Sequence, residues 1–297
     1  MVGTLLSYHP YYLAYYSPAI GGSAHAAELV PIGWGEGLDV VADWLNQQPD
    51  LADGAVATWS PPTMRPYLQT DVAWQGDVQK GTVNYLAVYI NQVQSGKDNH
   101  YFHHIHPSCT PRQTITLRGI TYAWIYRLPL YAILTSEANL NQQVILSQPV
   151  LLPPDPCHCT PLTLTLTLQP QVSTPPAHTL LFLHVVGSDG TMVAQLDLAL
   201  DQLLPADVWQ RGEAFAHTLQ LPLDASTPPG RYHIVLGLYD LTTGERLPVG
   251  QQQPAFPLTP GSSPTGGEGS HVGPYGPGSV LLATFERLPE HTIACSK

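Results

Sequence analysis

Three glycines at alternate positions, Gly33, Gly35 and Gly37, constrain the fold of this chain more than any other feature. An apolar lead-in at residues 29–32 precedes them, and a helical pattern follows at once. Apolar side chains recur there at the spacing of one helix face: Leu38, Val41, Ala42 and Leu45. Pro49 cannot continue a helix. The stretch therefore predicts a strand, a tight glycine turn and a helix, which together open an α/β unit.

The same glycines invite comparison with a dinucleotide-binding loop, but their spacing differs. The dinucleotide fingerprint requires G-x-G-x-x-G, whereas the spacing here is G-x-G-x-G and position 38 is leucine. Glu36 and Asp39 would also place two carboxylates where a pyrophosphate needs bare backbone N–H groups. We therefore interpret the segment as a strand-to-helix turn with both acids near the helix start, and we predict no bound cofactor.

The charge of the chain argues against several classes of partner. The net charge of −11 over 297 residues disfavours nucleic acid and electrostatic attachment to anionic lipid. Only 11% of the residues are charged, while 30 prolines and 25 glycines predict many loops and turns, as in β-rich extracytoplasmic proteins. The sequence shows neither a signal-peptide pattern nor an apolar run of about 20 residues that would span a membrane.

The two halves of the chain differ in pattern. Strand and helix signals interleave at first, which predicts a small α/β domain at residues 1–145. Short strands separated by turns then predict an all-β sandwich, Ig-like or jelly-roll-like, at residues 146–297. Its clearest strand lies at residues 162–168, where leucine and threonine alternate strictly. A segment rich in glycine and proline, residues 257–278, predicts a linker or long loop.

The stretch from Tyr8 to Tyr16 contains five tyrosines in nine positions. Tyrosine prefers the membrane–water boundary, because its ring is apolar while its hydroxyl stays hydrated. Two interpretations stay open: the stretch is an interfacial, membrane-proximal segment, or it is a loop that packs on the first domain.

Histidines cluster ahead of Cys109. His106 and Cys109, together with His103 or His104, could hold a soft divalent metal, although their spacings match no standard zinc pattern. A polar loop with incidental histidines explains the same cluster. We therefore predict no metal site and keep His103, His106 and Cys109 as the candidates for one.

Four cysteines allow several disulfides in an oxidising compartment. Cys157 and Cys159 are too close for an easy mutual bond, and they lack the C-x-x-C spacing of zinc ribbons. Cys109 could pair with either of them or with Cys295. The sequence does not choose among these pairings.

The sequence shows no catalytic constellation. It contains no G-x-S-x-G motif, and no Ser-His-Asp order stands out. Glu36 with Asp39, or Asp197 with Asp201, are better explained as helix-start and surface acids than as the carboxylate pair of a glycosidase. Trp209 would stack on a sugar ring if it is exposed, and otherwise belongs to the core.

Several stretches, taken together, resemble one family. They are YYLAYYSP (11–18), GWGEGLD (33–39), GITYAWIYR (119–127), FLHVV (182–186), AQLD (194–197), WQRGE (209–213), PPGRY (228–232), GLYD (237–240) and RLP (246–248). In order and number they resemble the soluble C-terminal region of bacterial polyprenyl-phosphate-dependent membrane glycosyltransferases of the protein-mannosyltransferase-like kind. The resemblance extends over residues 8–250 and includes no catalytic signature.

In that family the acidic residues that perform the chemistry lie in loops among the membrane helices. The resemblance therefore implies a module without catalytic residues, at the extracytoplasmic face of the cell membrane. The tyrosine-rich start is similar to the segment that leaves the last membrane helix. Implied partners are a multi-spanning glycosyltransferase part, the membrane surface and a glycan, with no nucleic acid. We expect glycan or interface contacts from six residues: Trp34, Glu36, Tyr122, Tyr126, Arg127 and Trp209.

The sequence thus predicts a non-catalytic extracytoplasmic module that serves a polyprenyl-phosphate-sugar glycosyltransferase by positioning an acceptor or glycan. Two alternatives belong to other classes. One is a free-standing carbohydrate-binding or cell-surface interaction protein, and the other is a glycan hydrolase.

Overall fold

A computed structural model of the protein describes residues 7–76, 81–96, 105–106, 109–152, 161–224, 226–254, 275–276 and 278–289. The chain divides into two compact units. Among the described residues, those up to Leu130 belong to the first unit and those from Tyr131 onward to the second. The protein is mostly β-sheet, since its described part forms three sheets of five strands each.

The first unit is built on one mixed sheet. Its strands are β1 (Ala55–Thr58), β2 (Val72–Trp74), β3 (Val83–Tyr89), β4 (Gln113–Leu117) and β5 (Ile120–Arg127). They lie in the order β2-β1-β3-β5-β4. Strand β1 is parallel to β2 and β3, and β5 is antiparallel to β3 and β4. The described helices of this unit are α1 (Ser23–Leu29), α2 (Leu38–Asn46), α3 (Pro61–Met64) and α4 (Ile90–Ser95).

Helix α2 confirms the helical pattern in the sequence. Its buried side chains are the four predicted ones: Leu38, Val41, Ala42 and Leu45. They join a core that also includes side chains of β1, β3 and β5. Asp39 lies in the first turn as predicted, whereas Glu36 precedes the helix. Gly37 begins the helix with a φ of 79°, which glycine adopts without the steric cost of a Cβ.

The predicted strand at residues 29–32 is wrong. Leu29 is the last residue of α1, and Ile32 donates its N–H to Oε1 of Gln94 at 2.8 Å. Gln94 also donates through Nε2 to the carbonyls of Ala27 and Val30, at 2.6 and 3.0 Å. A single side chain from α4 therefore satisfies backbone groups that the apolar pattern had assigned to a sheet.

Apolar packing covers both faces of the first sheet. Tyr85 and Ala87 of β3 join the core that contains α2. Leu86 and Val88 of the same strand join a second core, together with Ile105. Strands buried on both faces are typical of sheets flanked by helices or other cover on each side.

The second unit consists of two antiparallel sheets. Its strands are β6 (Tyr131–Ile133), β7 (Thr135–Leu140), β8 (Val144–Leu152), β9 (Leu162–Pro170), β10 (Thr179–Gly187), β11 (Met192–Ala199), β12 (Phe215–Leu221), β13 (Gly230–Asp240), β14 (Val249–Pro254) and β15 (Ser279–Arg287). One sheet has the order β11-β10-β13-β15-β6 and the other β12-β9-β8-β7-β14. Two short helices, α5 (Leu200–Leu203) and α6 (Ala206–Arg211), follow β11.

Side chains from both of these sheets share one apolar core. Strand β9 shows why: its alternate leucines Leu162, Leu164, Leu166 and Leu168 are all fully buried, whereas the threonines between them are half-buried. Leu164 lies opposite Leu219 of β12 and Leu151 of β8. The alternation in the sequence therefore corresponds to one inner and one outer face.

The second unit begins at Tyr131 rather than near residue 145. Strand β6 pairs with β15, and β7 pairs with β8 and β14, so downstream strands hold residues 131–140 in this unit. The glycine- and proline-rich segment at 257–278 falls mostly outside the described residues. The longest helix in the described part of the chain has nine residues, and none there has the length and hydropathy that a bilayer crossing needs.

Candidate ligand site at the carboxyl edge of the first sheet

The glycine turn lies against the carboxyl end of β3. Gly33, Gly35 and Gly37 have φ values of 89°, 122° and 79°, which residues with a Cβ rarely adopt. A Cβ on Gly33 would also lie 2.7 Å from Cγ2 of Ile90, the residue that follows β3. The backbone of the turn therefore approaches the strand end more closely than any larger residue would permit.

The side chain of Glu36 folds back into this turn. Its Oε2 accepts the N–H of Trp34 at 2.6 Å and the hydroxyl of Tyr89 at 3.3 Å. Only 6% of Glu36 is exposed, and within the described ranges its Oε1 has no hydrogen-bond partner. Because a buried carboxylate oxygen without a donor is unfavourable, this atom favours an incoming O–H or N–H group.

The charge of Glu36 acts on three tyrosines, of which Tyr89 also donates a hydrogen bond to it. Burial raises the pKa of Tyr89, and the charge of Glu36 raises it further. Burial is also the main cause of the raised pKa values of Tyr122 and Tyr16, with a contribution from Glu36 in both cases. All three phenols therefore stay protonated at neutral pH, and Tyr89 can act as a hydrogen-bond donor to the carboxylate.

Trp34 directs its indole to solvent, with 75% of the residue exposed. An indole face can stack on the C–H face of a sugar ring, while a nearby acceptor takes a sugar hydroxyl. A phosphate would lack backbone donors here, because the N–H groups of Trp34 and Gly35 already donate to Glu36 and Tyr89. The turn is therefore better suited to a neutral hydroxylated ligand than to an anion.

This turn lies beside a topological switch point of the sheet. After β1 the chain crosses to β2 on one side, whereas after β3 it crosses toward β5 and β4 on the other side. In open sheets of this kind, ligands bind outside the carboxyl ends of the strands at such a point. Polar residues follow all three parallel strands there: Ser60 after β1, Gln75 after β2, and Asn91 and Gln92 after β3.

The other four predicted contact residues are buried: Tyr122, Tyr126, Arg127 and Trp209. Tyr122 lies near Glu36. Arg127 is paired in the sheet with Tyr85, toward the amino end of β3. Trp209 belongs to the core of the second unit. These four side chains belong to the interior. Of the six predicted contact residues, Trp34 and Glu36 therefore remain as two that lie together near a surface.

Two of the three candidates for a metal site, His106 and Cys109, are engaged in other contacts. Nδ1 of His106 lies 2.6 Å from the hydroxyl of Tyr126. Cys109 is disulfide-bonded, so its sulfur is not a free thiolate, and its possible partners Cys157, Cys159 and Cys295 lie outside the described residues, as His103 does. Over the ranges that the structure covers, no group of three or more His, Cys, Asp or Glu side chains is placed to hold a metal ion.

The tyrosine-rich start combines packed and exposed side chains. The hydroxyl of Tyr11 donates to Oδ2 of Asp39 in α2 at 2.7 Å, and the guanidinium of Arg118 lies 5.1 Å from the ring centroid of Tyr8. Three apolar or aromatic side chains of the same stretch are exposed: Tyr12, Leu13 and Tyr15. One side of the stretch therefore packs on the first unit while the other side faces outward.

Sequence reasoning missed Tyr89, Gln75 and Gln92 at this edge. None of the three was among the predicted contact residues. The available signal was polar residues directly after buried strands, the position at which α/β sheets hold ligands.

Comparison of the chain with protein-family models finds no match, and comparison with curated proteins finds none either.

Proposed function

We propose that this chain is a non-catalytic, extracytoplasmic module of a polyprenyl-phosphate-sugar glycosyltransferase, and that it positions a glycan or acceptor. In this proposal the first unit is an α/β domain that carries the glycan site, and the second is an Ig-like or jelly-roll-like β-sandwich. The sequence resemblance supports the family, and the carboxyl edge of the first sheet supports the role.

The observation that carries the role is the arrangement of Trp34 and Glu36. The indole is exposed, the carboxylate is buried directly beneath the same turn, and one carboxylate oxygen has no donor in the described part of the protein. A sugar supplies both complements, an apolar ring face and a hydroxyl. The turn backbone is held by glycines and by Tyr89, so the site is preorganised.

The layer arrangement supports the two-domain interpretation. The first sheet contains parallel strands, a short helix follows β1, and both faces of the sheet are buried. In the second unit, two antiparallel sheets share a core. The hydroxyl of Tyr232 donates to the carbonyl of Pro228 at 2.6 Å, which is the contact of a tyrosine corner in immunoglobulin-like sandwiches.

A glycan array probed with purified protein tests the role, followed by calorimetric titration of the best ligand. Trp34→Ala should weaken binding at least about tenfold, because the stacking surface is lost. Tyr67→Ala is the matched control, since it removes another exposed aromatic side chain of the first unit and should leave binding unchanged. An array without any bound glycan would contradict the role.

Membrane proximity is the second part of the proposal. The exposed side chains of Tyr12, Leu13 and Tyr15 lie in a stretch without charged residues, since Glu28 is the first charged residue of the chain. Such a surface suits the neutral interfacial region of a bilayer. The protein should float with zwitterionic lipid vesicles, and the triple change Tyr12→Ser, Leu13→Ser and Tyr15→Ser should abolish flotation.

A free-standing carbohydrate-binding protein, the second candidate, would bind glycan through Trp34 without floating.

A further inference from the structure

A positively charged side chain adjoins the exposed aromatic stretch of the first unit. The guanidinium of Arg118 lies 5.1 Å from the ring centroid of Tyr8. The Tyr8 ring in turn packs edge-on against that of Tyr15, with 5.2 Å between the centroids. Arg118 is exposed, as are Tyr12, Leu13 and Tyr15. We call the set Tyr8, Tyr12, Leu13, Tyr15 and Arg118 the aromatic–cationic surface.

Arg118 has a backbone conformation that arginine rarely adopts. It is the first of two residues in the tight turn between β4 and β5, where Leu117 pairs with Ile120. The φ of Arg118 is 51° and that of Gly119 is 85°. The usual residue at such a first position is asparagine, aspartate or glycine, because the left-handed backbone is sterically disfavoured for most residues with a Cβ. An outlier of this kind is grounds for assigning a function to the side chain.

The Arg118 guanidinium faces water with its donors unused. Within the described ranges, its side chain forms neither a hydrogen bond nor an ion pair, and it contacts the Tyr8 ring. The planar N–H groups of arginine match the oxygens of a phosphate in bidentate geometry. A guanidinium at an exposed aromatic surface therefore favours a ligand that combines an apolar part with a phosphate.

The acidic residues of the chain do not oppose such a ligand at this surface. Residues 7–19 contain no charged side chain, and Asp39, which this stretch contacts, accepts the hydroxyl of Tyr11 on the packed side. At physiological ionic strength, exposed charges more than about 8 Å apart are largely screened from each other. The local charge of Arg118 therefore matters more here than the net charge of −11.

We propose that the aromatic–cationic surface binds phospholipid, with Arg118 in contact with a lipid phosphate. This inference rests on the membrane part of the proposed function, and it adds the chemical group that is recognised. Tyrosine rings lie at the level of the lipid head groups, which brings the guanidinium beside them to the depth of the phosphates. Packing against Tyr8 holds the guanidinium in place for that contact. The turn between β4 and β5 therefore faces the bilayer.

Vesicles with and without phosphate test the inference by flotation titration of the full chain. One set consists of phosphatidylcholine, and the other of a nonionic ethylene glycol ether lipid that carries neither phosphate nor sugar. Arg118→Asn should weaken binding to phosphatidylcholine about fivefold, the effect of about one hydrogen bond, and should leave binding to the nonionic vesicles unchanged. Because asparagine suits the first position of the turn, this variant should fold with a thermal midpoint close to that of the native protein.

Arg112→Asn is the matched control. Arg112 is exposed directly before β4, whereas Arg118 directly follows this strand, so about 20 Å of extended chain separates the two arginines. The control removes the same charge from the same strand and should change binding to neither kind of vesicle.

Three results would overturn the inference. Arg118→Asn could bind phosphatidylcholine as tightly as the native protein does, or it could lose affinity equally for both kinds of vesicle, which would indicate a structural role. Third, the native protein could dimerise without lipid through contacts that Arg118→Asn abolishes, which would make this surface an interface with a second copy. If the native protein floats and Arg118→Asn floats equally well, the inference fails while the membrane part of the proposed function stands. If the native protein floats with neither kind of vesicle, both fail.

Discussion

Nε of Arg127 donates to Oδ2 of Asp50 at 2.6 Å, across 77 positions of sequence. The hydroxyl of Tyr85 donates to the other carboxylate oxygen at 2.7 Å, and the Arg127 guanidinium lies 5.4 Å from the Tyr85 ring centroid. Arg127 also donates to the carbonyls of Leu128 and Asn84. This network fastens the amino end of β3 and the end of β5 to the segment after α2.

Asp50→Asn should destabilise the protein by about 2 kcal/mol, because it removes the carboxylate charge that pairs with the buried Arg127 guanidinium. Loss of one partner of a fully buried pair costs about 3–5 kcal/mol, and we expect less here because Asp50 is 36% exposed. Urea unfolding would measure the change. Asp207→Asn, which breaks an exposed pair with Arg211 at 2.7 Å, is the control and should cost about 0.5 kcal/mol or less.

The effect of Asp50→Asn should depend on pH. Burial acts to raise the pKa of Asp50, but hydrogen bonds from Tyr85 and Arg127 outweigh it and hold the pKa below its usual value. A carboxylate with a lowered folded-state pKa contributes stability above its unfolded pKa of about 3.9, and that contribution is lost as the pH falls through the folded value. The two proteins should therefore differ equally at pH 7 and pH 5 and converge below about pH 4. A constant difference across this range would contradict the ion pair.

Gly237→Ala should destabilise the second unit. A Cβ there would lie 2.6 Å from Cζ of Phe182 on the neighbouring strand and would also clash with the carbonyl of Gly278. Overpacking of this kind costs about 1–3 kcal/mol, which thermal unfolding would detect. Gly250→Ala is the control, since a Cβ at that position would be 3.4 Å from its nearest neighbour, Cβ of Asn139, and its midpoint should barely move.

Trp209 should act in packing and not in glycan binding. The residue is buried in the core of the second unit, and in the described part of the chain its Nε1 has no partner. Trp209→Ala should therefore cost about 3–5 kcal/mol. Trp209→Phe should cost about 1–2 kcal/mol, because it keeps most of the ring volume and removes the unpaired N–H. Denaturant unfolding measures both, and a folded Trp209→Phe protein that has lost glycan binding would contradict this assignment.

Reduction of the disulfide at Cys109 should lower stability by about 2–4 kcal/mol, since the bond restricts the unfolded chain. Unfolding with and without a reducing agent measures this difference. Peptide mapping of the non-reduced protein identifies the partner among Cys157, Cys159 and Cys295. An unchanged midpoint after complete reduction would show that the bond adds nothing to folding.

Local patterns in the sequence predicted those elements that local physics determines. The period of Leu38, Val41, Ala42 and Leu45 identified both the helix and its buried face, and the leucine–threonine alternation identified β9 and its inner side. Both depend on the spacing of residues within one element, and tertiary contacts did not override them.

Features that depend on distant partners were not predictable in this way. Arg127 was expected to contact a glycan or an interface, but it is buried and donates to Asp50. Residues 29–32 have the apolar pattern of a strand, but Gln94, more than 60 positions downstream, hydrogen-bonds to the backbone of Ile32 and Val30. The unit boundary was misplaced because β6 and β7 pair with strands that lie far along the chain. At the candidate site, Trp34 and Glu36 were identifiable from the turn, whereas Gln75 and Gln92 meet only when the sheet forms.

The alternation along β9 has a consequence for errors in assembly. If this strand paired with β8 and β12 one position out of place, every leucine now inside would face water and every threonine would enter the apolar layer. A slip of a single position exchanges the inner and outer faces along the entire strand, because side chains alternate between the faces. A chain with this slipped pairing would lack the apolar burial that stabilises the second unit. The slipped state should therefore be too unstable to persist.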